Sequence, residues 1–144
     1  MEDKLNINIK YDSKDIDWEI VSSILEIAGL SSTDPETCKM AFLGSQVTVF
    51  AFDDDKLFGV ARALSDGVKQ AAIYDVAILP EYQGKGVGRL LIEGITNRLP
   101  KCNFILYSNV GKEGFYEKFG FRRLKTGMAK FIKVERMKER GFIE

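Results

Sequence analysis

The chain has 144 residues and a mass of 16.2 kDa, with 45% apolar and 29% charged side chains, the balance of one ordinary folded domain with its own core. It has no histidine, which excludes a Ser-His-Asp triad, an imidazole base and a His-ligated metal. Zero net charge argues against a general nucleic-acid binder, and the two cysteines, Cys38 and Cys102, make neither a disulfide framework nor a zinc spacing.

Ile7 and Ile9 alternate with Asn6, Asn8 and Lys10, which predicts a half-buried strand. The polar, charged stretch Met1–Lys10 is no secretory signal, and no apolar run approaches the roughly 20 residues of a membrane helix. A cytoplasmic protein without membrane contact is the expectation. Ile16, Ile20, Val21, Ile24, Leu25 and Ala28 recur at helical spacing, with Asp15, Asp17 and Glu19 at the start and Gly29 at the end. Thr33 and Glu36 are spaced as a capping box around Pro35, so a second helix should run from there to Gly44.

Val47 to Phe52 and Leu57 to Leu64 read as a hairpin around Asp53-Asp54-Asp55-Lys56, closed by a Ser65-Asp66-Gly67 turn. Ala71 to Leu79 is a nearly continuous apolar run broken only by Asp75, as a strand buried on both faces would be. Val87, Leu90, Leu91, Ile95 and Leu99 predict a helix that stops at Pro100. A strand over Phe104–Tyr107 and a short helix over Lys112–Phe119 come next. Phe121–Leu124 and Met128–Ile132 read as two last strands around Thr126-Gly127. Residues 133–144 form a charged end piece of a single domain. Helices interleaved with strands predict an α/β fold with a mixed sheet and helices on both faces.

The chemistry concentrates after Ala71–Leu79. Pro80 breaks the strand, and Gln83-Gly84-Lys85-Gly86-Val87-Gly88-Arg89 opens the next helix. Glycines let a ligand approach the backbone, and the unpaired N–H groups and dipole of a helix start favour phosphate. The loop is not a Walker motif, because Lys85 precedes Gly86 and Val87 follows it. It is not a dinucleotide fingerprint either, since Arg89 occupies the third glycine place counted from Gly84.

Gln83, Gly86 and Gly88 do satisfy Gln-x-x-Gly-x-Gly, and a second block, Asn109 followed by Phe115-Tyr116-Glu117-Lys118-Phe119-Gly120-Phe121, lies downstream. On these motifs residues 45–132 closely resemble the GNAT family of N-acetyltransferases, and residues 1–44 match only in the order strand, helix, helix. The resemblance implies a mostly antiparallel mixed sheet of about seven strands with about four helices, splayed at an acetyl-CoA site. Acetyl-CoA would be the cosubstrate, with no metal. It implies that Ala77, Ile78 and Leu79 lend backbone groups to the pantetheine arm. Gln83, Gly84, Lys85, Gly86, Val87, Gly88 and Arg89 would hold the pyrophosphate. Asn109 would reach the pantetheine amides, with Phe115 beside it as packing.

Acetyl transfer expels a thiolate, and Tyr116 is the residue implied to protonate or stabilise it. The attacking amine must shed a proton, and without histidine the base is a carboxylate, a tyrosine or ordered water. Asp75, the one charge in its strand, is the candidate, with Tyr74 and Glu81 behind it. The N–H of Ile78 is the candidate holder of the acetyl oxygen. Trp18, Tyr74, Asp66 and Tyr107 are candidate walls of the acceptor pocket. Residues 1–80 carry 14 acidic and 7 basic side chains, and residues 81–144 carry 7 acidic and 14 basic. That division suits a cationic small-molecule amine on one side and phosphates on the other. The stretch Phe58–Ala63, Asp66, Asp75-Val76 and Thr126-Gly127-Met128 are similar to the small-amine branch of the family, which includes arylalkylamine-type enzymes. A protein N-terminus or lysine as acceptor, and an acyl-CoA-binding module without turnover, stay open at this point. So does a homodimer through the last strands, which the family often forms.

Overall fold

Residues 4–30 and 34–144 are described by a computed structural model. Their β-patterned runs form one sheet in the order β1-β2-β3-β4-β5. The strands are β1 (Ile7–Lys10), β2 (Val47–Asp53), β3 (Lys56–Ser65), β4 (Gln70–Ile78) and β5 (Asn103–Ile105). The first four are antiparallel neighbours, and β5 runs parallel to β4. The class is the expected α/β with a mixed, mostly antiparallel open sheet. The chain divides into two units, Met1–Leu106 and Tyr107–Glu144.

In the first unit, Asp17 caps α1 (Trp18–Ile27) by accepting from the Glu19 N–H. Asp34 caps α2 (Pro35–Leu43), its carboxylate accepting from the Thr37 N–H and hydroxyl at 2.9 and 2.8 Å. The expected Thr33 cap lies outside the described residues. Strand alternation sorts the core into two faces. Phe50 is fully buried among α1 and α2, in a cluster with Val21, Ile24, Phe42 and Val60. Its neighbour Val49 meets α3 (Val87–Thr96), where a Cβ on Gly94 would lie 3.3 Å from Val49 Cγ1. Each large side chain buried this fully contributes about 2 kcal/mol.

Two features of β4 prepare a ligand site. Val60 lies opposite Ala77 and Arg62 opposite Tyr74, so Asp75 and Val76 together face Ala61. This is a β-bulge, and Asp75 takes its left-handed conformation at φ 56°. Second, β5 pairs with β4 only over Gln70–Ala72. From Ile73 to Ile78 that edge of β4 has no strand beside it among the described residues, so the sheet is open there.

The second unit holds α4 (Glu113–Glu117) and α5 (Val134–Glu139). The last two predicted strands are not formed: among the described residues the sheet has five strands rather than about seven, and residues 121–132 belong to none. A β-prone run becomes a strand only where a neighbour supplies backbone partners. Here Phe131 packs on Tyr107 at 5.7 Å, while Met128 and Ile132 are 98% and 100% exposed. The end piece begins with α5, which brings the α-helices of the described residues to five. Glu135 in its first turn and Arg136 and Lys138 in its last complement the helix dipole.

Candidate functional site

β4 brings its backbone to the open edge with a fixed polarity. The Leu79 N–H donates to the Phe58 carbonyl at 2.9 Å, and Ile78 lies opposite Gly59. Successive amides of a strand point to opposite sides, so the N–H and C=O of Ile78 face away from β3, toward the open edge. The Ile78 carbonyl accepts from Gln83 Nε2 at 3.1 Å, which folds the glycine loop over the end of the strand.

A single 3-10 turn (Pro80–Tyr82) leads into that loop. Gly84 and Gly86 have φ of 76° and 79°, values that glycine adopts without Cβ strain. A Cβ built on either meets nothing within 4 Å, so the space over the loop is open. Gly86 starts α3 without a side-chain cap, and the first turn of α3 contains no acidic residue. Its N–H groups and positive dipole end are therefore not answered by a carboxylate of that turn. Val87 and Gly88 are buried in the helix start, and Lys85 is exposed. Arg89 pairs with Glu93 one turn on, at 3.0 Å. This is a cradle for an anionic group, open above, beside a strand edge that offers amides.

Asp75 does not stand alone. Its Oδ2 accepts from Arg62 Nε at 2.7 Å, with both side chains largely buried. The guanidinium also donates to Ser45 Oγ at 3.3 Å and lies 5.4 Å from the Tyr74 ring and 5.8 Å from that of Phe42. Trp18 is half-buried, 5.7 Å from Phe42 and 6.0 Å from Phe50. Asp66 locks the β3–β4 turn: its Oδ1 accepts from the N–H groups of Val68, Lys69 and Gln70, which hold its carboxyl below the usual range. A surface cleft of about 350 Å³ is lined by Tyr11, Ser45, Thr48 and Arg98 among others, and none of the candidate site residues borders it.

In the second unit, Tyr116 sits on α4 with its ring 4.9 Å from Phe115 and 5.9 Å from Phe121. Burial pushes its phenol up to about 12. The carbonyl of Asn109 accepts from the Lys112 N–H, which places this residue at the turn before α4. Tyr107 is half exposed and makes edge contacts with Phe131 and Phe142.

Residues 25–138 match the model of an acetyltransferase (GNAT) domain. The chain belongs to the GNAT acetyltransferase family. A GCN5-related N-acetyltransferase 2, chloroplastic, from Arabidopsis thaliana is 39% identical over 78 residues, 52% of this chain and 30% of that protein. A histone acetyltransferase of Glycine max is 38% identical over 79 residues, 53% of this chain and 34% of that protein. The chain thus spans about a third of the length of these two relatives. The crystal structure of a Staphylococcus aureus protein described as a probable acetyltransferase superposes with a TM-score of 0.77 at 26% identity, covering 88% of this chain and 98% of that one.

Within this GNAT domain the structure brings Ile78, Gln83 and the glycine loop together, and it joins Tyr74 and Asp75 through Arg62. Sequence reasoning missed Arg62 as the partner of Asp75. The available signal was two solitary charges in neighbouring apolar strands, each costly to bury alone. It also missed Tyr82 and Asp53, whose pairing no local spacing announces. Among the described residues no group of three or more His, Cys, Asp or Glu could hold a metal ion, and no helix is long and apolar enough to cross a membrane.

Proposed function

We propose that this GNAT protein transfers the acetyl group of acetyl-CoA to a primary amine by direct attack within a ternary complex. The observation that carries the reading is the uncapped, acid-free start of α3 under an open glycine loop, next to the edge of β4 that β5 leaves uncovered. Diphosphate suits the first, and the amides of a pantetheine arm suit the second, as one more strand would. Gln83 to Arg89 then hold the pyrophosphate, and Ala77, Ile78, Leu79 and Asn109 hold the arm, with Phe115 packed alongside. Both units are parts of one acetyltransferase domain in this reading, which the family match across residues 25–138 supports.

In the reaction the ammonium first gives up a proton, the neutral amine nitrogen bonds to the thioester carbonyl carbon, the carbon–sulfur bond breaks, and the nitrogen's second proton passes to water or to the departing sulfur. The outward N–H of Ile78 is the donor for the carbonyl oxygen as charge builds there. Asp75, the only carboxylate within β4, takes the first proton, directly or through water. Tyr116 is the residue assigned to the leaving thiolate. A thiol ordinarily titrates near about 8.5, whereas the buried phenol has risen to about 12. Full proton transfer from Tyr116 is therefore uphill, and its role is to donate a hydrogen bond that stabilises the sulfur anion.

The acceptor is a small cationic amine, with Trp18, Tyr74 and Tyr107 shaping its site, as in the arylalkylamine-type branch. The Phe42 and Tyr74 rings beside the Arg62 guanidinium, a cation, with Trp18 against Phe42, support this. A second reading, in which a protein lysine or N-terminus is the acceptor, draws on the histone acetyltransferase named among the relatives. A homodimer through residues 121–132 belongs to the same proposal, supported by the exposure of Met128 and Ile132. The cytoplasm is the simplest site of action. Free-thiol release from acetyl-CoA over a panel of aryl-alkylamines, polyamines, amino sugars and lysine peptides, with the melting shift by acetyl-CoA measured alongside, tests the reaction and its acceptor. Turnover on one amine class names the acceptor. Binding of acetyl-CoA without turnover on any of them replaces the enzyme by an acyl-CoA-binding module, and no binding sinks the cosubstrate.

A further inference from the structure

Nothing lies within 4 Å of a Cβ placed on Gly84 or Gly86, so apart from the Gln83–Ile78 hydrogen bond the glycine loop is positioned through its two ends. The far end is α3, fixed by the buried Val87, Leu91, Ile92 and Ile95. The near end is Tyr82, separated from α3 only by Gln83 to Gly86.

Tyr82 is 8% exposed, and its ring stacks on the fully buried Phe58 at 4.0 Å and 19°. Its hydroxyl donates to Asp53 Oδ2 at 2.8 Å. Asp53 ends β2, and its Oδ1 accepts from the Asn6 N–H at 3.0 Å. Asn6 in turn closes the hairpin: its carbonyl accepts from the Asp54 N–H at 3.0 Å and its Nδ2 donates to Asp54 Oδ1 at 2.7 Å. Above the ring, Lys56 Nζ lies 5.4 Å from the centroid and 3.8 Å from Glu81 Oε2. The loop entrance is thus bolted to a polar junction of three chain segments.

We propose that the Tyr82–Asp53 hydrogen bond is a positioning device for the phosphate loop, setting where the N–H groups of Gly84 to Gly88 stand before CoA arrives. The inference rests on the reading that this loop holds CoA. Phe58 alone would satisfy the ring of Tyr82, but a stack leaves the ring free to slide in its plane. A bond from a phenol to a carboxylate is short and directional, and it fixes the one coordinate the stack leaves loose. The carboxylate stays charged: its acidity is raised by the Asn6 N–H first and the Tyr82 hydroxyl next.

The test uses the full chain and CoA itself, so it does not depend on knowing the acceptor. Tyr82→Phe keeps the stack and removes the bond. Asp53→Ala removes the acceptor. Asp53→Asn is the rescue: its Oδ1 still accepts from Asn6, while its Nδ2 donates to the Tyr82 oxygen, reversing the bond without losing it. Calorimetric affinity for CoA should fall about fivefold in Tyr82→Phe and Asp53→Ala and stay within about twofold of wild type in Asp53→Asn. The amide resonances of Gly84 and Gly86 should move in the first two variants, even without ligand. A purely structural role would lower the melting temperature and leave both readouts in place. Wild-type affinity in a folded Tyr82→Phe protein with unmoved glycine amides overturns the inference, and that variant decides the matter if Asp53→Ala does not fold. Failure of the wild-type protein to bind CoA overturns the functional reading instead, and the glycine amides still report whether Tyr82 sets the loop.

Discussion

Arg62 Nε lies 2.7 Å from Asp75 Oδ2, so the one cation in the interior of β3 holds the bulged residue of β4. The pair does two jobs at once. It neutralises two charges that the sheet has largely buried, and it fixes a non-glycine residue at φ 56°, a conformation that aspartate tolerates better than most. The bulge reverses the alternation of β4, which places the Ile78 N–H on the open edge.

Removing one partner should cost more than removing an exposed pair. Arg62→Ala leaves a part-buried carboxylate without its cation and is expected to destabilise the protein by about 3 kcal/mol. Asp75→Asn keeps the left-handed backbone and loses only charge, with an expected cost of about 1.5 kcal/mol. Urea unfolding of the two single variants and the double variant measures the coupling. Additive losses would mean that the pair contributes nothing as a pair.

The same Asp75→Asn protein tests proton acceptance. With a proton acceptor removed, kcat/KM should fall by about 100-fold. An unchanged kcat/KM assigns Asp75 to the bulge alone and moves the base to water.

Tyr116→Phe should lower kcat by about 100-fold while leaving CoA affinity nearly unchanged, because the lost hydrogen bond forms only as the sulfur becomes anionic. Stopped-flow thiol release on the best amine reads the first, and calorimetry the second. Equal losses in both would make Tyr116 a packing residue.

Tyr116 also makes an alkaline prediction. Its folded pKa of about 12 exceeds the ordinary value of 10.0. A raised folded pKa gives stability that is complete below the unfolded value and lost as pH climbs through the folded one. Wild type should therefore lose stability between about pH 10 and 12 by more than Tyr116→Phe does. Parallel urea midpoints for the two proteins across that window would remove burial as the source.

Gly86→Ala meets open space yet must hold φ 79°. The strain should cost about 1 kcal/mol, or about 3 °C in melting temperature, and weaken CoA binding by shifting the helix start. A variant that melts and binds like wild type would show that the loop tolerates a second shape.

Periodicity and turn chemistry made most elements readable from the chain. The hairpin of β2 and β3, the apolar β4 and the helix after the glycines stand where the residues put them, because each is decided locally. The misses lie where a partner decides. Phe121–Leu124 and Met128–Ile132 carry strand-like residues but find no strand beside them. Asp75 announced that it needed a partner without saying which, since Arg62 is a neighbour only through the register of β3 and β4. Tyr82 looked like one more residue of the turn before the loop. Its bond to Asp53 spans 29 positions, and only the folded hairpin makes it visible.

The three-residue overlap between β4 and β5 has a cost that falls on the unliganded protein. An edge with no strand beside it can take an extended peptide, including a stretch of another molecule of the same kind. Asp75 and its kink blunt this edge and the Ile78 carbonyl already accepts from Gln83, but among the described residues no strand covers Ile73 to Ile78. Concentrated protein without ligand should therefore drift into soluble clusters, seen as rising light scattering. If the pantetheine arm lies along this edge as proposed, saturating CoA should disperse them, and the ligand would act as its enzyme's own solubiliser.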